Sequence, residues 1–306
     1  MYNDSYGIWK GGVKLVCRIC PRNCGANRET ETGICGVGEK FRVARAAPHH
    51  WEEPCLSGTK GSGTVFFSGC NLGCVYCQNQ SVSHEAFGKD VTSDELKRIF
   101  DRLIDMGVHN LNLVTPTHYV PLLANTLSEY KSPVPVVYNS SGYEKAETLK
   151  CLEGLIDIYL PDIKYFDSAP ALKYSGAADY FEYASSAVLE MYRQVGTVEL
   201  DENGIAKKGL IIRHMVLPGN ISQAVKVFEW VRDNLPSETY ISVMRQYTPF
   251  GKAKDMPPIN RSLSSREYSI VKRKILAMGF ENCNFQSGEA ATESFIPNFN
   301  LEGVDL

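Results

Sequence analysis

Nowhere does this chain string together the roughly 20 apolar residues that a membrane-crossing helix needs, so it is not expected to span a bilayer. The stretch from Met1 to Lys10 has no charged segment followed by an apolar run, so a secretory leader is not expected either. Neither sign of charge is in excess. A net charge of −3, with acids and bases mixed, leaves no electrostatic footprint for a nucleic-acid backbone. Internal repeats and low-complexity runs are absent, which excludes a repeat array. At 306 residues, 43% hydrophobic and 22% charged, the chain suits a soluble globular protein with one large α/β domain and room for a small appendage. Cysteine, by contrast, is plentiful. Ten in a chain without a leader argue for a reducing, cytoplasmic compartment and for metal binding rather than a disulfide scaffold.

Cys70, Cys74 and Cys77 form Cys-x3-Cys-x2-Cys in the loop that follows the short apolar strand Thr64 to Phe67. Three thiolates in one tight loop suit three irons of a cubane 4Fe-4S cluster and leave the fourth iron without a protein ligand. Four cysteines suit electron storage; an open iron suits chemistry, because a substrate or cosubstrate can bind it. Zinc prefers four ligands, usually from paired Cys-x2-Cys groups, and only one such pair is present in this loop.

A second group, Cys17, Cys20, Cys24 and Cys35, is interleaved with Gly25, Gly33 and Gly36. Its four thiols read as a closed tetrahedral site for structural zinc, a rubredoxin-like iron or an auxiliary 4Fe-4S cluster; ligand count alone does not separate these. Cys55, Cys151 and Cys283 read as small core residues.

Beyond Cys77 the periodicity alternates. Apolar strands at 110–115, 135–138, 155–160, 210–217 and 239–244 are followed by helical patterns at 120–130, 144–152, 169–193, 222–234 and 264–278. Another helix at 92–106 opens with the capping pair Thr92 and Glu95 and ends at Gly107. Roughly six βα units imply a parallel sheet, an open partial (β/α)6 barrel rather than a closed eightfold one. The expected organisation is a Cys-rich extension at 1–59, the barrel at 60–290 and a polar, weakly ordered tail at 291–306.

Ligands of parallel α/β folds sit at the carboxyl ends of the strands. There the sequence places Thr115 and His118, then Asn139 and Ser141, then Asp162-Ile-Lys164, then Gln246. Arg213 lies inside an apolar strand, where a charge needs a partner. A carboxylate suits its fork.

The three-cysteine loop, with Tyr76 before its last cysteine, resembles the signature of the radical S-adenosylmethionine (SAM) superfamily. Asp162-Ile-Lys164, Arg213 with Pro218-Gly219 behind it, Cys17 to Cys24 and Thr115 to Tyr119 make the chain similar to the pyruvate formate-lyase activating enzyme-like branch. The resemblance covers most of residues 17–250. It implies that the open iron chelates SAM, that reductive cleavage yields a 5′-deoxyadenosyl radical, and that this radical abstracts a hydrogen atom. It implies SAM contacts from Thr115, His118, Asn139, Ser141, Asp162, Lys164, Arg213 and Gln246, and an electron donor such as flavodoxin or ferredoxin. No acid–base pair is required for the abstraction step. The Gly-Gly-Glu stretch of many such proteins is replaced by Thr115-Pro-Thr-His-Tyr119, and the extra cysteines precede the loop instead of following it. The target is therefore open between a backbone glycine of a partner enzyme and a small molecule or peptide. An electron carrier or metal scaffold without SAM turnover is the alternative from another class.

Overall fold

The computed structural model describes residues 16–287 and 297–305. Among the described residues ten strands form one sheet system: β1 (Phe41–His49), β2 (Ser62–Phe67), β3 (Lys89–Val91), β4 (Leu111–Val114), β5 (Val136–Ser140), β6 (Ile158–Pro161), β7 (Glu199–Leu200), β8 (Ala206–Met215), β9 (Tyr240–Met244) and β10 (Cys283–Phe285). The order is β10-β9-β8-β6-β5-β4-β2-β1-β3, with β7 on the side of β8. From β2 through β4, β5, β6, β8 and β9 to β10 every pairing is parallel, while β1 and β3 add antiparallel pairs at one edge. The ends of the order do not meet, so the sheet is an open α/β barrel wall.

Nine helices accompany it among the described residues: α1 (Pro54–Ser57), α2 (Gln80–Ser83), α3 (Ser93–Asp105), α4 (Val120–Ser128), α5 (Ala146–Leu149), α6 (Ser168–Ser175), α7 (Tyr180–Val195), α8 (Ile221–Asn234) and α9 (Ser265–Leu276). The reciprocal Thr92–Glu95 cap opens α3 as its sequence requires, and Ser264–Glu267 does the same for α9. Leu96, Ile99, Phe100 and Leu103 of α3 join the large core between helices and sheet. The expected helix 169–193 is two helices, because Gly176 adopts a left-handed φ of 59° and ends α6. The expected helix 144–152 shortens to α5 and a 3-10 turn at Lys150–Leu152.

The sheet's inner face is zoned. Near its lower end Val137, Ile158, Leu160 and Ile211 pack around Cys55 and Leu56 of α1, which plugs the barrel floor. Above that floor the inward positions turn polar: Thr64, Asn112, Asn139, Asp162, Arg213 and Ser242 come from β2, β4, β5, the end of β6, β8 and β9. A sheet covered on both faces favours continuous apolar strands, so this layer is a departure that calls for a use.

Two of the expected boundaries are crossed by backbone pairing. Strand β1 pairs with β2, so the sheet runs through the boundary drawn at residue 59. The described part of the tail is docked: Ala46 N donates to Glu302 O, Leu301 N donates to Ala44 O, and Val304 is buried. Residues 1–15, 288–296 and 306, which include parts of the expected extension and tail, lie outside the described residues.

Candidate iron–sulfur and cosubstrate site

Strand β2 delivers the chain to the mouth of the barrel, and Gly69 turns it. Its φ is 84°, and a Cβ there would lie 2.5 Å from the carbonyl oxygen of Cys35, so only glycine passes. Cys70 N then donates to that oxygen at 3.1 Å, and Cys77 N donates to Cys74 O at 3.1 Å. Cys70, Cys74 and Cys77 lie close enough to feel one another's charge. Burial pushes the Cys70 thiol up to about 12 and also raises Cys77. Donors converge on the sulfurs: Ser175 Oγ on Cys74 (3.1 Å), Ser83 Oγ on Cys77 (3.1 Å) and Leu72 N on Cys70 (3.4 Å). Such donors tune sulfur ligands in iron–sulfur sites. Arg22 clamps the loop from outside, donating to the carbonyls of Asn71, Leu72 and Ser175. Among the described residues no His, Cys, Asp or Glu group of three or more is drawn together tightly enough to hold a single metal ion. The three sulfurs, buried at Cys74 and partly buried at Cys70 and Cys77, have hydroxyl and amide donors aimed at them, the donor chemistry that suits iron–sulfur ligands.

Asp162 and Lys164 stand where sequence placed them. Their side chains point the same way, with Lys164 Nζ 2.6 Å from Asp162 Oδ2, and the Lys164 charge reaches Cys74 and Cys77. Arg213 donates from Nε to Asp162 Oδ1 (2.8 Å), from one terminal nitrogen to Glu52 Oε2 (3.0 Å) and from the other to Asn139 Oδ1 (2.7 Å). Burial opposes the charge of Asp162, yet Arg213 and Lys164 outweigh it and hold the carboxyl below its ordinary value. Burial likewise opposes the Lys164 charge, and Asp162 and Cys74 overcome it, keeping the amine protonated. Arg213 therefore has protein carboxylates and an amide on its whole fork, and Asn139 is spent on Arg213 and Glu52. Of the expected cosubstrate contacts, Lys164 is the charged group turned toward the cysteine loop.

The remaining expected contacts divide. His118 is buried and its Nε2 lies 2.9 Å from Ser68 O, bracing the start of the loop. Burial, aided by Arg28, pulls its pKa down to about 3, so the ring is neutral. Thr115 takes a left-handed φ of 60° and donates N–H to Asn139 O. Ser141 Oγ is enclosed without a hydrogen-bond partner. Gln246 accepts from Gln286 Nε2 (2.8 Å), and its backbone oxygen faces Gln78 Nε2 (3.3 Å) just past Cys77.

Sequence reasoning missed Glu52, Glu53, Asn112, Glu144 and Ser175. Glu144 read as a helix start; it is a buried acid that accepts from Thr117 Oγ1 (2.6 Å) and Tyr138 OH (3.1 Å). Burial lifts its carboxyl from 4.5 to about 7, although those hydrogen bonds pull it down. A raised native pKa means the contribution of Glu144 to stability is fully present below pH 4.5 and is lost as pH climbs through 7. Between those limits the wild type is expected to lose about 2–3 kcal/mol relative to Glu144→Gln. Urea titrations of both proteins across that range measure the difference; parallel pH profiles would refute it.

The second cysteine group folds as a knuckle. Cys17 N donates to Ala26 O, Gly25 N to Cys17 O and Asn23 N to Cys20 O. The sulfurs of Cys24 and Cys35 flank Gly33, and a Cβ there would sit 3.4 and 3.3 Å from them. Cys17 and Cys20 both feel the charge of Cys35. Thr148 Oγ1 and Lys145 Nζ tie the knuckle to the barrel through Ile19 O and Arg18 O.

The family model described as a 4Fe-4S single cluster domain matches residues 57–166, the span that contains the three-cysteine loop and Asp162. The chain belongs to the family of the uncharacterized protein MJ0674 of Methanocaldococcus jannaschii, with which it shares 32% identity over 261 residues, 82% of this chain and 71% of that protein. A second uncharacterized protein of the same organism, MJ0808, is 26% identical over 269 residues, 80% of this chain and 74% of its own. Among solved structures, Streptococcus suis SuiB bound to S-adenosylmethionine matches 77% of this chain at 15% identity with a TM-score of 0.45; the match spans about half of SuiB, 49%. No helix among the described residues is long and apolar enough to cross a membrane.

Proposed function

We propose that this protein is a radical SAM enzyme acting on a small polar molecule or a peptide. The observation that carries the reading is the pairing of a partly buried three-thiol loop with a lysine turned toward it and held charged by Asp162. Cys70, Cys74 and Cys77 are the residues to hold the cluster. Cys35 reaches the loop through its backbone only; its thiol lies 3.9 Å from Val37 O and beside Cys24. The chemistry a 4Fe-4S cluster supplies in such a site is one-electron reductive cleavage of SAM followed by hydrogen-atom abstraction.

The chain's own residues bind, orient and exclude water. Lys164, held charged by Asp162, offers a cation beside the sulfurs, suited to a cosubstrate carboxylate. Arg213 fixes Asp162 from below. Tyr76, Tyr165, Tyr174 and Tyr247 pack against the loop, and Tyr76 and Tyr165 share a hydroxyl contact of 2.7 Å. That aromatic wall keeps bulk water from a site whose chemistry a solvent-borne hydrogen donor would quench. The Cys17 group, whose sulfurs are not drawn together tightly enough here to grip a single ion, is proposed as a second metal site that closes when the metal binds. A backbone glycine of a partner enzyme is the alternative target; the buried polar layer of the barrel favours the smaller one. The test is anaerobic: protein reconstituted with iron and sulfide and reduced with dithionite should release 5′-deoxyadenosine from SAM. A cluster that reduces without that release would favour an electron carrier.

A further inference from the structure

Arg213 and Lys164 do not balance the acids around them. Glu52, Glu53 and Asp162 face these two cations in the barrel, so a proton on one glutamate, toward which burial pushes both, or a further cation must complete the layer. Glu52 is bonded to Arg213, whereas Glu53 stands 3.8 Å from it and its Oε2 has no hydrogen-bond partner. Asn112 on β4 is wholly buried and lies next to Glu52, yet neither Nδ2 nor Oδ1 makes a hydrogen bond of acceptable geometry. Buried amides and carboxylates left unpaired are costly, and each needs an explanation. Here three atoms without a hydrogen bond sit on the inward side of one barrel, above the apolar floor made by Leu56, and Glu53 Oε2 has only the longer ion pair to Arg213. Their chemistry is specific: two acceptors beside an excess of acids over bases, and one amide donor.

We infer that Glu53 and Asn112 form the floor of the substrate pocket and bind a primary ammonium group. The ammonium donates to Glu53 Oε2 and Asn112 Oδ1, and Asn112 Nδ2 donates to an acceptor next to that nitrogen on the substrate. The added cation also neutralises the surplus carboxylate. Glu52, already committed to Arg213, positions the cation side of the layer. This assignment deepens the radical SAM reading by naming the substrate's charge, and it rests on that reading for its chemistry alone.

The test reads binding, not turnover. Cluster-loaded wild type and Glu53→Gln are melted with n-butylamine, with n-butanol and butyrate as controls. Wild type should gain about 3 °C or more at saturating amine and nothing from either control. Glu53→Gln should melt no lower than wild type in the absence of amine, because it removes a surplus buried acid, and should lose the amine response. Asn112→Leu, which replaces the unpaired amide with an apolar side chain of similar volume, should likewise keep its fold and lose most of that response. An equal response in wild type and Glu53→Gln, no response in wild type, or a fall of about 3 °C or more in unliganded Glu53→Gln would overturn the assignment. Release of 5′-deoxyadenosine is scored separately, so failure of the ammonium site and failure of radical SAM chemistry give different results.

Discussion

Serine at Cys70, Cys74 and Cys77 together should strip the iron and sulfide from the barrel mouth and reduce SAM cleavage to background. A serine hydroxyl keeps its proton far above neutral pH, so three strong thiolate ligands are lost at once. The loop itself should survive, because Arg22, the Cys35 carbonyl and the Asn71–Tyr143 hydrogen bond hold it without the sulfurs. Metal analysis of the same variant then reports on the Cys17 group alone. Zinc in equimolar amount would mark it as a structural clamp; iron with sulfide would mark an auxiliary cluster. A triple variant that keeps its full iron and still releases 5′-deoxyadenosine would end the assignment of this loop.

Arg213→Met should be the most destabilising single change in the barrel interior. Arg213 is the shared partner of Asp162 and Glu52 and the nearest cation to Glu53. Removing one partner of a buried charge network typically costs about 3–5 kcal/mol, because the others stay buried and uncompensated. Burial already pushes the Glu52 and Glu53 carboxyls up, with Arg213 as the opposing influence, so both should take up protons in the variant. Adding Glu52→Gln and Glu53→Gln to Arg213→Met should recover a large part of the loss, since Lys164 still pairs with Asp162. Denaturant unfolding of the single and triple variants measures this. A single variant within about 1 kcal/mol of wild type, or a triple variant no better than the single, would show that the network does not carry the charge balance described.

The parts of the site that were legible depend on short-range spacing. Three cysteines within eight residues fix their own proximity, whatever surrounds them. Asp162 and Lys164 share a side because alternate residues of an extended chain do. Arg213 announced a buried partner by lying in an apolar strand, and the partner class was right: carboxylates. Which carboxylates was not legible, since Glu52 is 161 residues away and no local pattern links the two. His118 and Asn139 read as cosubstrate contacts from their strand-end positions, but the fold spends them on Ser68 and Arg213. Strand β1 escaped notice because its burial does not alternate and a register shift interrupts it between Val43 and Arg45.

Sequence alone located the candidate cluster loop and most of the alternating strands and helices behind it, with the parallel order they imply, because each follows from residues close together along the chain. Tertiary structure decided what those strands enclose. Only the closing of α1 onto the barrel floor carries Glu52 and Glu53 under Arg213, and only the curvature of the sheet turns single polar residues on separate strands into one charged layer. Long-range charge pairing has no signature in local spacing, since its energy depends on the distance between side chains in space.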